Sequence, residues 1–320
     1  MIVLEPLLRF VQALAYLLYT LLLALLLEWF DRKLIAKFQN RVGPHYTGPA
    51  GILQPLADVL KLLSKESVVP EGTDRLMFTL SPLLAFTIIC TATAFVPLLG
   101  YRGLASLEGD VILVLALLTL YLLVIYTAGA SSSSRFSLIG ATRAALMLLG
   151  FEIPLMLSCL SVAASLGSFR ISEIAAKAQP RLLGIHALGF LVYLVAAQAE
   201  LDRQPFDIPE AETEIVSGWL VEYSGWRLAI FRLSKDIELV LLTGLAVALF
   251  IGGGPNVPLQ GFELAIATPV FLIKQLLVVF ILSLIRASFG RLRIDQFIGV
   301  GWRALIPASF LYLVIAALVA

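Results

Sequence analysis

Long apolar runs alternate with short polar breaks along this chain, and the runs repeat at a length that suits a bilayer better than a soluble core. A helix crossing about 30 Å of hydrocarbon needs roughly 20 largely apolar residues. Eight stretches meet that measure: 8–30, 76–98, 110–130, 143–166, 184–201, 234–252, 263–287 and 302–320. The pattern therefore predicts an all-α polytopic membrane protein of about eight transmembrane helices, built as a single membrane domain over 1–320. Glu5, Pro6 and Arg9 precede the first run without a small-residue cleavage site, so it reads as a first span and not as a removed signal peptide.

Two polar breaks are long enough to carry structure of their own. The first, 31–75, contains the pairs Gly43-Pro44 and Gly48-Pro49, which force turns because proline fixes φ and restricts its predecessor. From Ile52 to Lys65 the apolar positions Leu53, Leu56, Val59, Leu60 and Leu63 recur at helical spacing, with Asp58, Lys61 and Lys65 elsewhere on the circumference. That helix is too short to span and is expected to lie in the interface, as a surface anchor or as a rim for a partner subunit or an amphipathic substrate. The second break, 201–233, is an acidic loop. Nine of the chain's 22 carboxylates lie between Glu200 and Glu238.

Charge fixes the expected orientation. The connections after spans one, three, five and seven hold 17 Lys and Arg, the opposite side holds Arg9, Arg102, Arg170, Lys177 and Arg181, and Lys274 lies within a span. Basic residues accumulate on the cytoplasmic side, so the acidic loop is expected there and both termini on the outer side of the cell membrane. The outer connections read as plain: 99–109, a segment over 168–183 with a surface helix, and a turn at 252–254 followed by Pro255 and Pro258.

Composition agrees and removes other classes. Hydrophobic residues make up 60% of the chain and charged residues 14%, with a mean hydropathy of +0.95, which no soluble core accommodates. A net charge of +1 without a basic run leaves no footprint for nucleic acid. Cys90 and Cys159 lie in apolar runs and, with only His45 and His186 beside them, cannot form the ligand sets of clusters, zinc or haem. They read as packing residues.

The candidate chemistry is carried by charge placed where charge is expensive. Glu152, Glu200 and Lys274 lie within or at the end of apolar runs, where an ionisable group commonly faces a wet cavity or an ion path. Snorkelling of Lys274 and interfacial placement of Glu200 are the alternatives. In the acidic loop, Pro205 should stop span five, and Asp207-Ile208-Pro209-Glu210 has the form of a capping box that starts a short helix. Glu210 and Glu214 would then share a face, an unfavourable like-charge pair that needs Arg203, a basic loop or a retained proton. Together with Glu212, Glu222, Asp236 and Glu238 they suggest a carboxylate row running from the loop into the membrane. Arg286, Arg291, Arg293 and Arg303 stand on the same side, either pairing with that row or only enforcing topology.

Three stretches carry a resemblance. RVGPHYTGPAGILQPLADVLKLL from Arg41, AELDRQPFDIPEAE followed by EYSG, and RASFGRLRIDQ resemble, in order, the motifs R-x-G-P-N-x-x-G-P-x-G-x-L-Q-P-x-A-D-x-x-K-L-L, A-E-x-N-R-x-P-F-D-L-P-E-A-E with E-Y-S-G, and R-A-x-x-P-R-x-R-Y-D-Q of respiratory complex I subunit 1, the NuoH family. That family includes relatives in energy-converting hydrogenases and archaeal sulfane reductases. The resemblance implies a membrane anchor and coupling subunit that binds no cofactor itself. Its partners would be hydrogenase-like and iron-sulfur subunits of a peripheral arm, antiporter-like membrane subunits and the lipid bilayer. It assigns Glu152, Glu200, Asp207, Glu210, Glu212, Glu214 and Glu222 to proton or charge coupling. Arg41, Gln54, Asp58, Arg203, Arg291, Arg293 and Asp295 would line the subunit junction.

Several positions depart from the family pattern. His45 replaces Asn, Gly290 and Ile294 replace Pro and Tyr, Lys235-Asp236 replaces Glu-Tyr, and Asp31 stands where Glu is usual. These departures point toward the ferredoxin-linked hydrogenase or sulfane-reductase branch, which needs no quinone. A quinone-binding subunit and a stand-alone ion transporter are the alternatives.

Overall fold

The computed structural model describes residues 4–100, 103–178, 183–253 and 263–319. Arg102, Arg181, Gly254, Pro255 and Pro258 lie outside the described residues. Every regular element is helical: α1 (Leu4–Phe38), α2 (Gln54–Ser64), α3 (Arg75–Thr93), α4 (Asp110–Ser131), α5 (Arg135–Ser165), α6 (Ile171–Lys177), α7 (Leu183–Glu200), α8 (Glu212–Ile215), α9 (Gly225–Ala246), α10 (Glu263–Ser288), α11 (Ile294–Val300) and α12 (Ile306–Val319). Wider π-helical turns, Val247–Ile251 and Gly301–Leu305, prolong α9 and join α11 to α12.

The eight predicted spans correspond to α1, α3, α4, α5, α7, α9, α10 and the joined α11–α12. Among the described residues, Glu5–Phe38, Arg75–Thr93, Asp110–Ser131, Arg135–Ser165, Ile266–Ser288 and Ile294–Leu318 are long and apolar enough to cross a membrane. The molecule is an all-α multi-pass membrane protein. Its centre is α9, which packs against α1, α3 and α10 and is buried without interruption from Ile237 to Phe250. A helix apolar on every face belongs inside.

Several helices run past the limits that hydropathy sets. α1 continues to Phe38, α5 begins at Arg135 and α9 at Gly225, which shortens the acidic loop. The extra turns carry Asp31, Arg32, Arg143, Arg227 and Lys235, whose charges mark a span's end in a hydropathy count but do not break helical hydrogen bonding. Helix ends are closed individually. The Asp74 carboxylate accepts from the amides of Leu76 and Met77 at the start of α3. At its far end the Tyr16 hydroxyl donates to the carbonyls of Thr93 at 2.9 Å and Val96 at 2.7 Å.

α2 forms where the first break's apolar spacing predicts an interfacial helix, and Leu56, Leu60 and Leu63 remain exposed on it. α6 supplies the expected surface helix after α5. The Lys274 ammonium donates to the carbonyls of Gly252 and Gly253 at 2.8 and 2.7 Å, at the end of the molecule away from the acidic loop. It closes a helix end there and takes no part in the carboxylate row.

Candidate functional site

The charged ends of α1, α2, α9 and α10 and the loop after α7 enclose a cavity of about 760 Å³. Most of its lining side chains are ionisable, and acids and bases alternate. Arg203 is the hinge of one wall. Its guanidinium donates to Asp31 at 3.0 Å and to Glu28 at 3.1 Å. Asp31 also accepts from Arg286 at 2.7 Å and from the Ser283 hydroxyl at 2.6 Å, while Glu28 accepts from Arg32 at 2.8 Å. Arg32 then reaches Asp58 on α2 at 2.6 Å, and Gln54 donates to the same carboxylate at 3.0 Å. A continuous network therefore runs from α10 through α1 to the interfacial helix, with a cation for each of its carboxylates.

The acidic loop forms the opposite wall, and here the predicted capping box is corrected. Residues 207–210 are not helical; the helical turn nearby is α8, and its N-cap, Ala211, makes no side-chain cap. Asp207 is held instead by Arg291 at 2.7 Å, and Glu210 by Lys235. Two tertiary ion pairs outcompete the local cap. Glu214 pairs with Arg143 on α5 at 2.6 Å, so Glu210 and Glu214 diverge and the expected like-charge face does not form. Nor does Pro205 stop α7, which ends at Glu200 before Asp202 takes a left-handed conformation.

The loop's far side is fixed by backbone contact. Gly218 has φ +56°, and a Cβ at Gly140 would stand 2.6 Å from the backbone of Gly218 and Trp219. That approach buries Trp219 completely, and the Lys235 ammonium lies over its ring at 5.5 Å. Lys235 also donates to Asp202 at 3.2 Å. Burial pushes the Asp202 carboxyl up to about 6, with Lys235 pulling against it. Burial raises Asp207 as well, opposed by its bond to Arg291.

Below this wall the chemistry changes. Glu152, Glu200 and Glu238 are buried without a cation. Glu152 accepts from the Thr119 hydroxyl, whereas one carboxylate oxygen of Glu200, one of Glu238 and the Tyr121 hydroxyl are enclosed without a hydrogen-bond partner. Glu200 lies within electrostatic reach of Glu238, Glu152 and Asp202. Phe151, beside Glu152, stacks with Phe206 of the acidic loop and Phe297 of α11, with centroids 5.0 and 4.1 Å away.

Of the sequence-predicted residues, Asp58, Arg203, Asp207, Glu210, Glu212, Asp236 and Arg291 line the cavity, and Gln54 orients Asp58. Glu152, Glu200 and Glu238 lie beneath, and Glu214 lies on the flank. Glu222, Arg41, Arg293 and Asp295 are not drawn in: Arg41 meets only Gln39, and Arg293 caps α11. Of the seventh-loop arginines, Arg286 and Arg291 pair with acids. Sequence reasoning missed Glu28, Asp202 and Lys235 and did not place Asp31 in the site. These lie at span edges, where charge is ordinary, and only tertiary pairing marks them. Among the described residues no three His, Cys, Asp or Glu stand together as a metal site.

An all-helical membrane protein with a charged chamber over buried acids is thereby defined. A protein-family model described as NADH dehydrogenase matches residues 11–317. Over 301 residues the chain is 38% identical to a membrane subunit of the NADH-quinone oxidoreductase of Dehalococcoides mccartyi, covering 93% of this chain and 83% of the relative. The corresponding subunits match from Brevibacillus brevis (38%, covering 91% and 87%) and Thermomicrobium roseum (36%, covering 92% and 90%). The chain belongs to the complex I subunit 1, or NuoH, family.

Proposed function

We propose that this chain is the membrane anchor and coupling subunit of a complex I-like oxidoreductase, converting a redox event at its charged chamber into ion movement through buried carboxylates. The observation that carries this is the change along one line of acids. Those lining the chamber are largely ion-paired, while Glu152, Glu200 and Glu238 beneath have no cation, the condition in which a carboxylate exchanges protons. The chamber faces the cytoplasm in this reading, with both termini outside, by the 17 to 5 distribution of basic residues. Peripheral iron-sulfur subunits dock over it and antiporter-like subunits lie beside it in the membrane.

In sealed vesicles containing the intact complex, Glu200→Gln and Glu152→Gln should each lower the ions moved per electron at least tenfold. Unchanged coupling in both variants overturns the proposal. Orientation has its own test. A membrane-impermeant maleimide on whole cells should label Ser106→Cys and spare Ser64→Cys.

The electron acceptor separates two finer readings. The chamber's lining offers no aromatic ring and only Pro55, Val59, Leu62 and Leu201 as apolar surface, so a quinone ring fits these residues poorly. Together with Gly290 and Ile294 in the seventh loop, this supports a ferredoxin-linked, hydrogenase or sulfane-reductase type of complex. The relatives' description as NADH-quinone oxidoreductase subunits favours the quinone reading. Labelling of this chain by a photoreactive quinone, lost on altering Val59 or Leu62, decides for the quinone; absence of labelling in the active complex decides against it.

A further inference from the structure

The charged chamber and the buried acids are separate spaces, and one residue borders both. A second cavity of about 10 Å³, on the order of what one water molecule requires, lies between α4, α5 and α7. Its polar lining is Glu200 and Asp202, set among Leu122, Met147 and Phe151. Of these residues only Asp202 also lines the large chamber. Its backbone is left-handed, with φ +50°, at the turn that follows α7, and its side chain is buried to 8% exposure. Chamber-side, it accepts from the Lys235 ammonium at 3.2 Å. Membrane-side stands the unpartnered oxygen of Glu200.

We propose that Asp202 is the residue through which protons pass between the charged chamber and Glu200, with Lys235 as the countercharge that holds it in place. The inference rests on the coupling function proposed above and adds a residue where the family motif carries Asn, a side chain that cannot take up a proton. In the inward step an O–H bond forms on the Asp202 carboxylate as one breaks on a hydronium of the chamber. The proton then leaves Asp202 for the Glu200 carboxylate, directly or through one water molecule, and Asp202 is again an anion beside Lys235. Net, one proton enters and no electrons move.

The groups around Asp202 suit a reversible carrier. Lys235 and Glu238 face it from α9, Tyr121 from α4, Glu200 from α7, and Asp207 and Glu210 from its own loop. One cation among these acids offsets the burial of a single anion; protonation relieves the remaining repulsion. Asp202 therefore titrates near pH 6 rather than in the ordinary carboxylate range.

The test uses the intact complex and two variants of nearly unchanged shape, Asp202→Asn and Asp202→Glu. An infrared difference spectrum between pH 5 and 7.5 should contain a carboxyl band titrating near pH 6. It should vanish in Asp202→Asn and persist, displaced, in Asp202→Glu. In sealed vesicles at pH 7, Asp202→Asn should lower the ions moved per electron at least fivefold, and Asp202→Glu should restore more than half of the loss. A band that survives in Asp202→Asn, or an Asp202→Asn complex that couples like the parent, overturns the proposal while Glu200→Gln still uncouples. A parent complex that moves no ions refutes the coupling function itself, and this proposal with it.

Discussion

The wall built on Arg203 and the pocket around Glu200 lie at neighbouring depths and hold similar numbers of acids, yet their electrostatics are opposite. In the wall, Glu28, Asp31 and Asp58 each meet an arginine at 3.1 Å or less. In the pocket, Glu200 and Glu238 each keep an oxygen without any partner. A paired buried acid is a structural element, since removing its cation leaves a charge stranded in low dielectric. An unpaired one has no fixed countercharge and is free to change state. Burial alone therefore does not distinguish scaffold from switch; the cation does.

The contrast is broken most severely by Arg203→Met, which strands Glu28 and Asp31 together. It should destabilise the purified complex by about 3–5 kcal/mol in denaturant unfolding, whereas Glu200→Gln should be neutral or mildly stabilising. Equal stabilities of the two variants would erase the distinction. Asp202 sharpens it next. Its folded carboxyl titrates at about 6 against an ordinary value near 4, so between those limits the folded state binds more protons than the unfolded. Its contribution to stability is greatest below pH 4 and is lost as pH rises through 6, a change of up to about 3 kcal/mol. Subtracting the pH profile of Asp202→Asn from that of the parent should isolate this slope; a flat difference rejects it.

Lys274→Met comes third. Losing two charge-assisted bonds to Gly252 and Gly253 should cost about 2 kcal/mol and leave the ions moved per electron unaltered. Smallest is Glu214→Gln. The carboxylate paired with Arg143 is half exposed, so thermal unfolding should register less than about 1 kcal/mol.

The spans were legible because an apolar run of bilayer length has few other uses, and α2 because its leucines keep helical period. Glu152 and Glu200 were legible for the same reason inverted: an acid within such a run has to be explained. Residues at the span edges were not. Asp31 and Arg286 meet across 255 positions, and neither differs in type or setting from a charge that only marks the membrane boundary. The capping box failed for a related cause. Asp207 and Glu210 satisfy a local rule, but Arg291 and Lys235 arrive from other elements with a full charge, which outweighs a backbone amide. Lys274 showed the reverse error, since an intramembrane lysine suggests an ion path while a helix end close by gives its ammonium two carbonyls.

The ring cluster of Phe151, Phe206 and Phe297 ties three segments at one joint, and the seventh loop is laced to it by the amide of Leu292 donating to the Pro205 carbonyl at 2.9 Å. Rings in contact cannot slide independently in a close-packed interior. A partner that presses on the seventh loop or the acidic loop thus turns a lever whose short arm is the residue next to Glu152. Docking and proton affinity share a mechanical axle, so seating a partner can tune an acid that the partner never touches.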